Sequence, residues 1–290
     1  MKYLKNTLKG VGVFILASVI QIITLIVYCI VIFMKEAITS PTKEMYIDNI
    51  KKLTESTSFV AYVSVFYAIV IIILFGILYY KKTSKNKHLS INELCKKDFS
   101  FFKKFQNIIC LLCLIFTLEV FCNQFVLLIQ AIFPNSLEIY QNILEASGVT
   151  DLKSAPMIIY VCLLGPLCEE LIYRGAIFQY GIRTKNFWFA NILQAFLFGL
   201  MHGNIVQFSY TFLLGLILGA IVYYSNTLVI VSLIHIGFNT YSLFLSDYIL
   251  KLPIKENSFL YYPGLITMSL VFGMISFILT KQIVKNLTTL

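Results

Sequence analysis

Eight apolar runs, parted by short polar breaks, decide which solvent this chain folds in. They cover residues 11–34, 58–80, 107–133, 156–180, 187–203, 206–224, 227–250 and 259–280. A helix that crosses a bilayer needs about 20 apolar residues, and most of the runs meet that length. The sequence is 59% hydrophobic and only 13% charged, against roughly 45–50% and about 25% for a soluble domain. A water-soluble globule of this length has no interior large enough for so much apolar surface. The expected fold is therefore all-α: a polytopic transmembrane helical bundle of about eight spans, forming a single membrane domain over residues 1–290. The four runs between 156 and 250 are separated by breaks as short as Gly203-Asn204 and Ser225-Asn226. Their ends are the least defined, and one of them is a candidate re-entrant segment. No internal repeat or low-complexity tract divides the chain.

Charge sets the expected orientation. With the N-terminus inside, inner segments hold fifteen Lys and Arg and outer segments seven, which favours cytoplasmic termini by the positive-inside rule. The run after Lys2, Lys5 and Lys9 is too long for a signal-peptide core and has no small-x-small cleavage site after it, so it reads as an uncleaved first span. The net charge of +9 sits between apolar runs, where it serves topology and anionic lipid rather than nucleic acid. The loop 81–105 carries eight Lys and is expected to lie along the lipid interface. Of seven Cys, all but Cys95 fall in apolar segments, and they are read as packing thiols, the Cys110-x-x-Cys113 pair included. Ile-, Lys- and Asn-rich wording suggests a bacterial plasma membrane.

Ionisable groups at bilayer depth are costly and need a reason. The fourth run contains Cys168-Glu169-Glu170-Leu171-Ile172-Tyr173-Arg174. Glu170 and Arg174 are four apart, share a helix face and are expected to pair. Glu169 lies about 100° round the helix, on the face of Tyr173, with no local cation. Pro166, just upstream, removes a helical hydrogen bond and loosens the chain there. Phe198 and His202 are four apart in the fifth run, and His235 and Asn239 are four apart in the seventh. At about 1.5 Å per residue, Glu169 and Asn239 come out roughly 18 Å deep, His235 roughly 12 Å and His202 roughly 23 Å. His202 is the loosest fit. His88 lies in the basic loop and reads as solvated. Glu119 and Asn123 share a face of the third run, lining the same cavity or pairing with another helix.

Taken together, Glu169-Glu170-Leu171-Ile172-Tyr173-Arg174, Phe198-x-x-x-His202 and His235-x-x-x-Asn239 resemble the CAAX-protease and bacteriocin-processing family of intramembrane peptidases. The resemblance covers residues 164–242. It implies a catalytic core from spans 4, 5 and 7, within 156–250, with spans of 1–155 peripheral and 251–290 a final span. It implies catalytic Glu169, His202, His235 and Asn239, supported by Glu170, Arg174, Tyr173 and Phe198. Direct attack by water is the chemistry that fits: Glu169 and His202 take its proton, while His235 and Asn239 hold the oxyanion. Glu169, His202 and His235 are also the candidate ligands of a Zn2+ ion, although His-Glu-x-x-His is missing and Asn239 is a poor zinc ligand. The implied partner is a membrane-associated protein or peptide. Two other functions stay open: a non-catalytic immunity or scaffold protein, and a proton-coupled transporter using Glu119, Glu169 and the His pair.

Overall fold

The computed structural model describes residues 1–54, 56–86, 98–149, 154–255 and 258–289. Most of the basic loop, with His88 and Cys95, lies outside the described residues. The main helices in chain order are α1 (Lys2–Thr39), α2 (Lys43–Thr54), α3 (Thr57–Asn86), α4 (Phe105–Ile132), α5 (Ser136–Ser147), α6 (Ala155–Thr184), α7 (Phe187–Leu200), α8 (Ile205–Ser225), α9 (Val229–Leu245) and α10 (Tyr261–Thr288).

Six of these (α1, α3, α4, α6, α8 and α10) are long and apolar enough to cross a membrane, so the chain is a polytopic helical bundle. The other two expected spans are shorter. The 14 residues of α7 rise about 21 Å and the 17 of α9 about 25 Å, less than the roughly 30 Å of a hydrocarbon core. The outer helices turn bare apolar side chains outwards, among them Leu270, Met274, Phe277 and Ile278 on α10. A soluble domain could not leave so many uncovered.

Two apolar clusters hold the bundle together. One joins α4, α8, α9 and α10 through Leu114, Leu118, Leu218, Ile234 and Ile283. The other joins α1, α3, α6 and α7 through Ala17, Tyr67, Ile71, Cys168, Tyr173 and Phe198. Tyr67 of α3 thereby packs directly on the helix that carries the paired glutamates. The described cysteines are free thiols, and Cys110 rests its sulfur 3.9 Å from the Leu279 carbonyl of α10.

The short breaks in the sequence are hairpin turns. Gly203 has φ +69° and Asn226 φ 59°, the left-handed conformation that ends a helix and that Gly and Asn adopt most readily. Asn204 then caps α8, its side chain accepting from the Gln207 amide at 2.8 Å. Within the α7–α8 hairpin, Gly215-x-x-x-Gly219 removes the bulk between the helices; a Cβ at residue 219 would strike the Asn191 side chain. That closeness lets Asn191 donate to the Leu216 carbonyl at 2.9 Å and Gln194 to the Gly215 carbonyl at 2.8 Å. Buried amides spent this way stiffen the hairpin that presents His202.

Candidate active site

The helix bearing Glu169 and Glu170 is interrupted twice. Wide π turns occupy Tyr160–Leu164 and Tyr173–Ile177, one on each side of the glutamates. Such turns are rare and cluster at functional sites. The first has a traceable cause. The Gly165 amide bonds to the Tyr160 carbonyl, five residues back, instead of to Val161. The next residue is Pro166, which has no N–H to offer. The Val161 carbonyl therefore loses both helical partners, and Asn239 of α9 donates to it at 3.0 Å. Pro166 thus creates the acceptor that anchors Asn239, and the second amide hydrogen of Asn239 remains for the cavity that this residue lines.

Glu170 is fully buried and accepts two charge-assisted hydrogen bonds on one oxygen. Arg174 Nη1 and His235 Nδ1 each lie 2.8 Å away. The pairing with Arg174 is the one expected from the spacing. The bond to His235 is new, because nothing in the sequence announces that residues 65 positions apart meet. A carboxylate oxygen only accepts, so His235 carries its proton on Nδ1 and turns Nε2 towards Glu169 Oε2, 3.5 Å away. Glu169 keeps 23% of its side chain exposed, while Glu170 keeps 1%. The two neighbouring acids therefore live in different surroundings.

His202 is not on a helix, as its four-residue spacing from Phe198 suggested. It sits in the turn between α7 and α8. Its amide bonds to the Gly199 carbonyl, which leaves the Phe198 carbonyl free, and His202 Nδ1 donates to that carbonyl at 3.0 Å. The side chain caps the helix it follows, and Nε2 is again the nitrogen left unbound.

Phe198 is the hub on which these groups rest. Its ring is 1% exposed, edge-on to His202 at 5.4 Å and to His235 at 5.6 Å. The Tyr173 ring lies 5.0 Å from it and the Arg174 guanidinium 4.6 Å. Arg174 is therefore held both by Glu170 and by a cation–π contact.

Glu169, His202, His235 and Asn239 line one cavity of about 180 Å³. Tyr140, Leu144, Gln207 and Tyr210 line it too, and sequence reasoning missed all four, since ordinary residues facing a cavity leave no pattern. Glu119 is 3% exposed, with one carboxylate oxygen unpartnered, and is absent from the residues lining this cavity. The donor set fits a zinc site poorly. Among the described residues no three His, Cys, Asp or Glu side chains stand close enough to share an ion.

A partly exposed carboxylate with one imidazole nitrogen 3.5 Å away and a second imidazole lining the same cavity, inside a polytopic helical bundle, has the chemistry of an acid–base site. Residues 151–241 match the family of type II CAAX prenyl endopeptidase Rce1-like proteins, and the match supports membership of the CAAX-protease and bacteriocin-processing family. At family level it supports a CAAX-type intramembrane endopeptidase. No curated protein and no solved structure matches the chain.

Proposed function

We propose that the chain cleaves a membrane-associated protein or peptide by water activated between Glu169 and His202. The observation that carries this reading is the shared cavity of Glu169, His202, His235 and Asn239. Water attacks the scissile carbonyl as Glu169 takes its proton, and His202 Nε2 accepts or relays it. The second amide hydrogen of Asn239 donates to the oxyanion, and His235 donates from Nε2 once protonated there. The proton held by Glu169 then passes to the leaving amine, so acid and carboxylate alternate in each turnover. Glu170 and Arg174 act through His235, fixing its tautomer and ring plane.

The reaction proceeds in this account without a metal, since the three candidate ligands do not form a compact donor set. A chelator such as 1,10-phenanthroline is expected to leave activity within twofold, roughly the scatter of such assays; stoichiometric zinc and loss of activity on its removal would contradict this. A prenylated C-terminal peptide, the substrate class in the name of the matching family, is one candidate among membrane-anchored peptides.

Comparative proteomics of membranes carrying wild type and Glu169→Ala tests the whole reading. A peptide whose cut depends on the carboxylate is the expected result. Bacteriocin protection that survives Glu169→Gln would instead indicate an immunity or scaffold protein. Substrate-dependent proton flux surviving the His235→Ala, Asn239→Ala double substitution would indicate a carrier.

A further inference from the structure

Two tyrosine hydroxyls stand where phenylalanine would serve the packing. Tyr67 of α3 is 4% exposed and Tyr173 of α6 is fully buried. Both belong to the apolar cluster that backs the paired glutamates. Among the described residues, neither hydroxyl meets an oxygen or nitrogen partner. The Tyr67 hydroxyl turns towards the Cys168 thiol, a weak partner at best. A buried hydroxyl left in that state is costly, so a position that needs only an aromatic ring is better filled by Phe. The two hydroxyls call for another reason.

The group they surround is Glu169. Tyr173 stands one helical turn further on, its amide bonded to the Glu169 carbonyl. Tyr67, Tyr160, Tyr173 and Cys168 all lie within electrostatic reach of the Glu169 carboxylate. Its charged and titratable neighbours otherwise are His235 of α9 and, on its own helix, Glu170 and Arg174. The nearest of these contacts is long, with Oε2 3.5 Å from His235 Nε2, and among the described residues Oε1 accepts no hydrogen bond. A carboxylate that must take a proton from water has to be held in one orientation. Phenol hydroxyls donate and a carboxylate oxygen accepts, so two idle donors and one idle acceptor answer each other. The helix α3 packs against α6 at both π turns, which keeps Tyr67 at the level of the glutamates.

We propose that Tyr67 and Tyr173 are positioning residues of this site, their hydroxyls donating to Glu169 Oε1 so that Oε2 is held towards the attacking water. The inference rests on the peptidase reading above and extends the site to α3, outside the matched residues 151–241. Losing one hydrogen bond to a charged group should slow the chemical step about tenfold.

The test uses the full chain in vesicles of phosphatidylethanolamine and phosphatidylglycerol. On a peptide that wild type cuts, Tyr67→Phe and Tyr173→Phe should each lower kcat about tenfold with KM within twofold, the split expected when only the transition state loses a contact. The unfolding midpoint should stay the same or rise, because a hydroxyl without a partner leaves the core. Tyr62→Phe, on the same helix and half exposed, is the control and should change neither. An unchanged kcat in both buried variants, whatever the midpoint does, makes the tyrosines packing residues and overturns the proposal. A second readout needs no turnover. Infrared difference spectra of wild type against Glu169→Gln isolate the bands of that one carboxyl group, and both buried substitutions should shift them while Tyr62→Phe does not. Unshifted bands overturn the positioning role even where the peptide is cut. Shifted bands in a protein that shows no Glu169-dependent cutting keep the hydroxyl–carboxylate contact and sink the hydrolase.

Discussion

Helices α1 and α6 are both long and apolar, yet they are built for opposite purposes. The 38 residues of α1 form one unbroken helix, and only 11% of its most apolar window is buried inside the protein. Every backbone group between its ends is satisfied within the helix, so its side chains need only suit lipid. The 30 residues of α6 are interrupted by two π turns, and one third of its window is buried. There a freed carbonyl and two carboxylates reach partners on other helices. The comparison teaches that in lipid a broken helix costs backbone hydrogen bonds, and that neighbours must replace them. The replacement, Asn239 to the Val161 carbonyl, stands beside the His235–Glu170 bond, and these two contacts set the candidate site.

The sharpest way to break this contrast is at Glu169. Glu169→Gln should lower kcat/KM by about 10³-fold, within the range of general-base removal, with unfolding in detergent unchanged to within about 0.5 kcal/mol. Retained activity, or collapse of the fold, would erase the distinction between a working and a structural acid. Glu170→Ala is expected to behave in the opposite sense. It strands the fully buried Arg174 and should cost about 3–5 kcal/mol of stability, the scale for breaking a buried pair, as read from denaturant unfolding. Pro166→Ala restores an N–H at the first π turn, giving the Val161 carbonyl or its neighbour a helical partner. The loss of a fixed Asn239 should reduce kcat about tenfold with stability unchanged or raised, since one hydrogen bond is worth roughly 1 kcal/mol. The smallest effect is expected from Leu270→Ala on α10, where the side chain is 68% exposed; both activity and stability should stay within the scatter of surface substitutions, about 0.5 kcal/mol.

Much of the site was legible because charge in an apolar run is conspicuous. Glu169, Glu170, Arg174, His202, His235 and Asn239 stand out by chemistry alone, and the i, i+4 rule paired Glu170 with Arg174 correctly. What stayed hidden was everything set by tertiary contact. Pro166 signalled a loosened helix, but not that Asn239 would take up the released carbonyl. The spacing of Phe198 and His202 suggested a shared helix face, whereas α7 ends at Leu200 and His202 falls in the turn that Gly203, with its positive φ, closes. The fifth and seventh runs form helices of 14 and 17 residues, shorter than the hydropathy alone suggested, because the apolar runs extend into the turns that end them. Tyr140 and Leu144 carried no signal, since an aromatic and an aliphatic residue on an amphipathic helix look like packing until a cavity is seen beside them.

The central claim is that Glu169 and His202 act on a single water across one cavity, and a double-mutant cycle addresses it directly. Glu169→Gln and His202→Ala are measured for kcat/KM singly and together on a peptide that wild type cuts. Groups that work as a unit fail together, so the double variant should be no slower than the worse single one, about 10³-fold below wild type. Losses that multiply, with the double variant falling by the product of the two single effects, would contradict the account and separate the imidazole from the carboxylate.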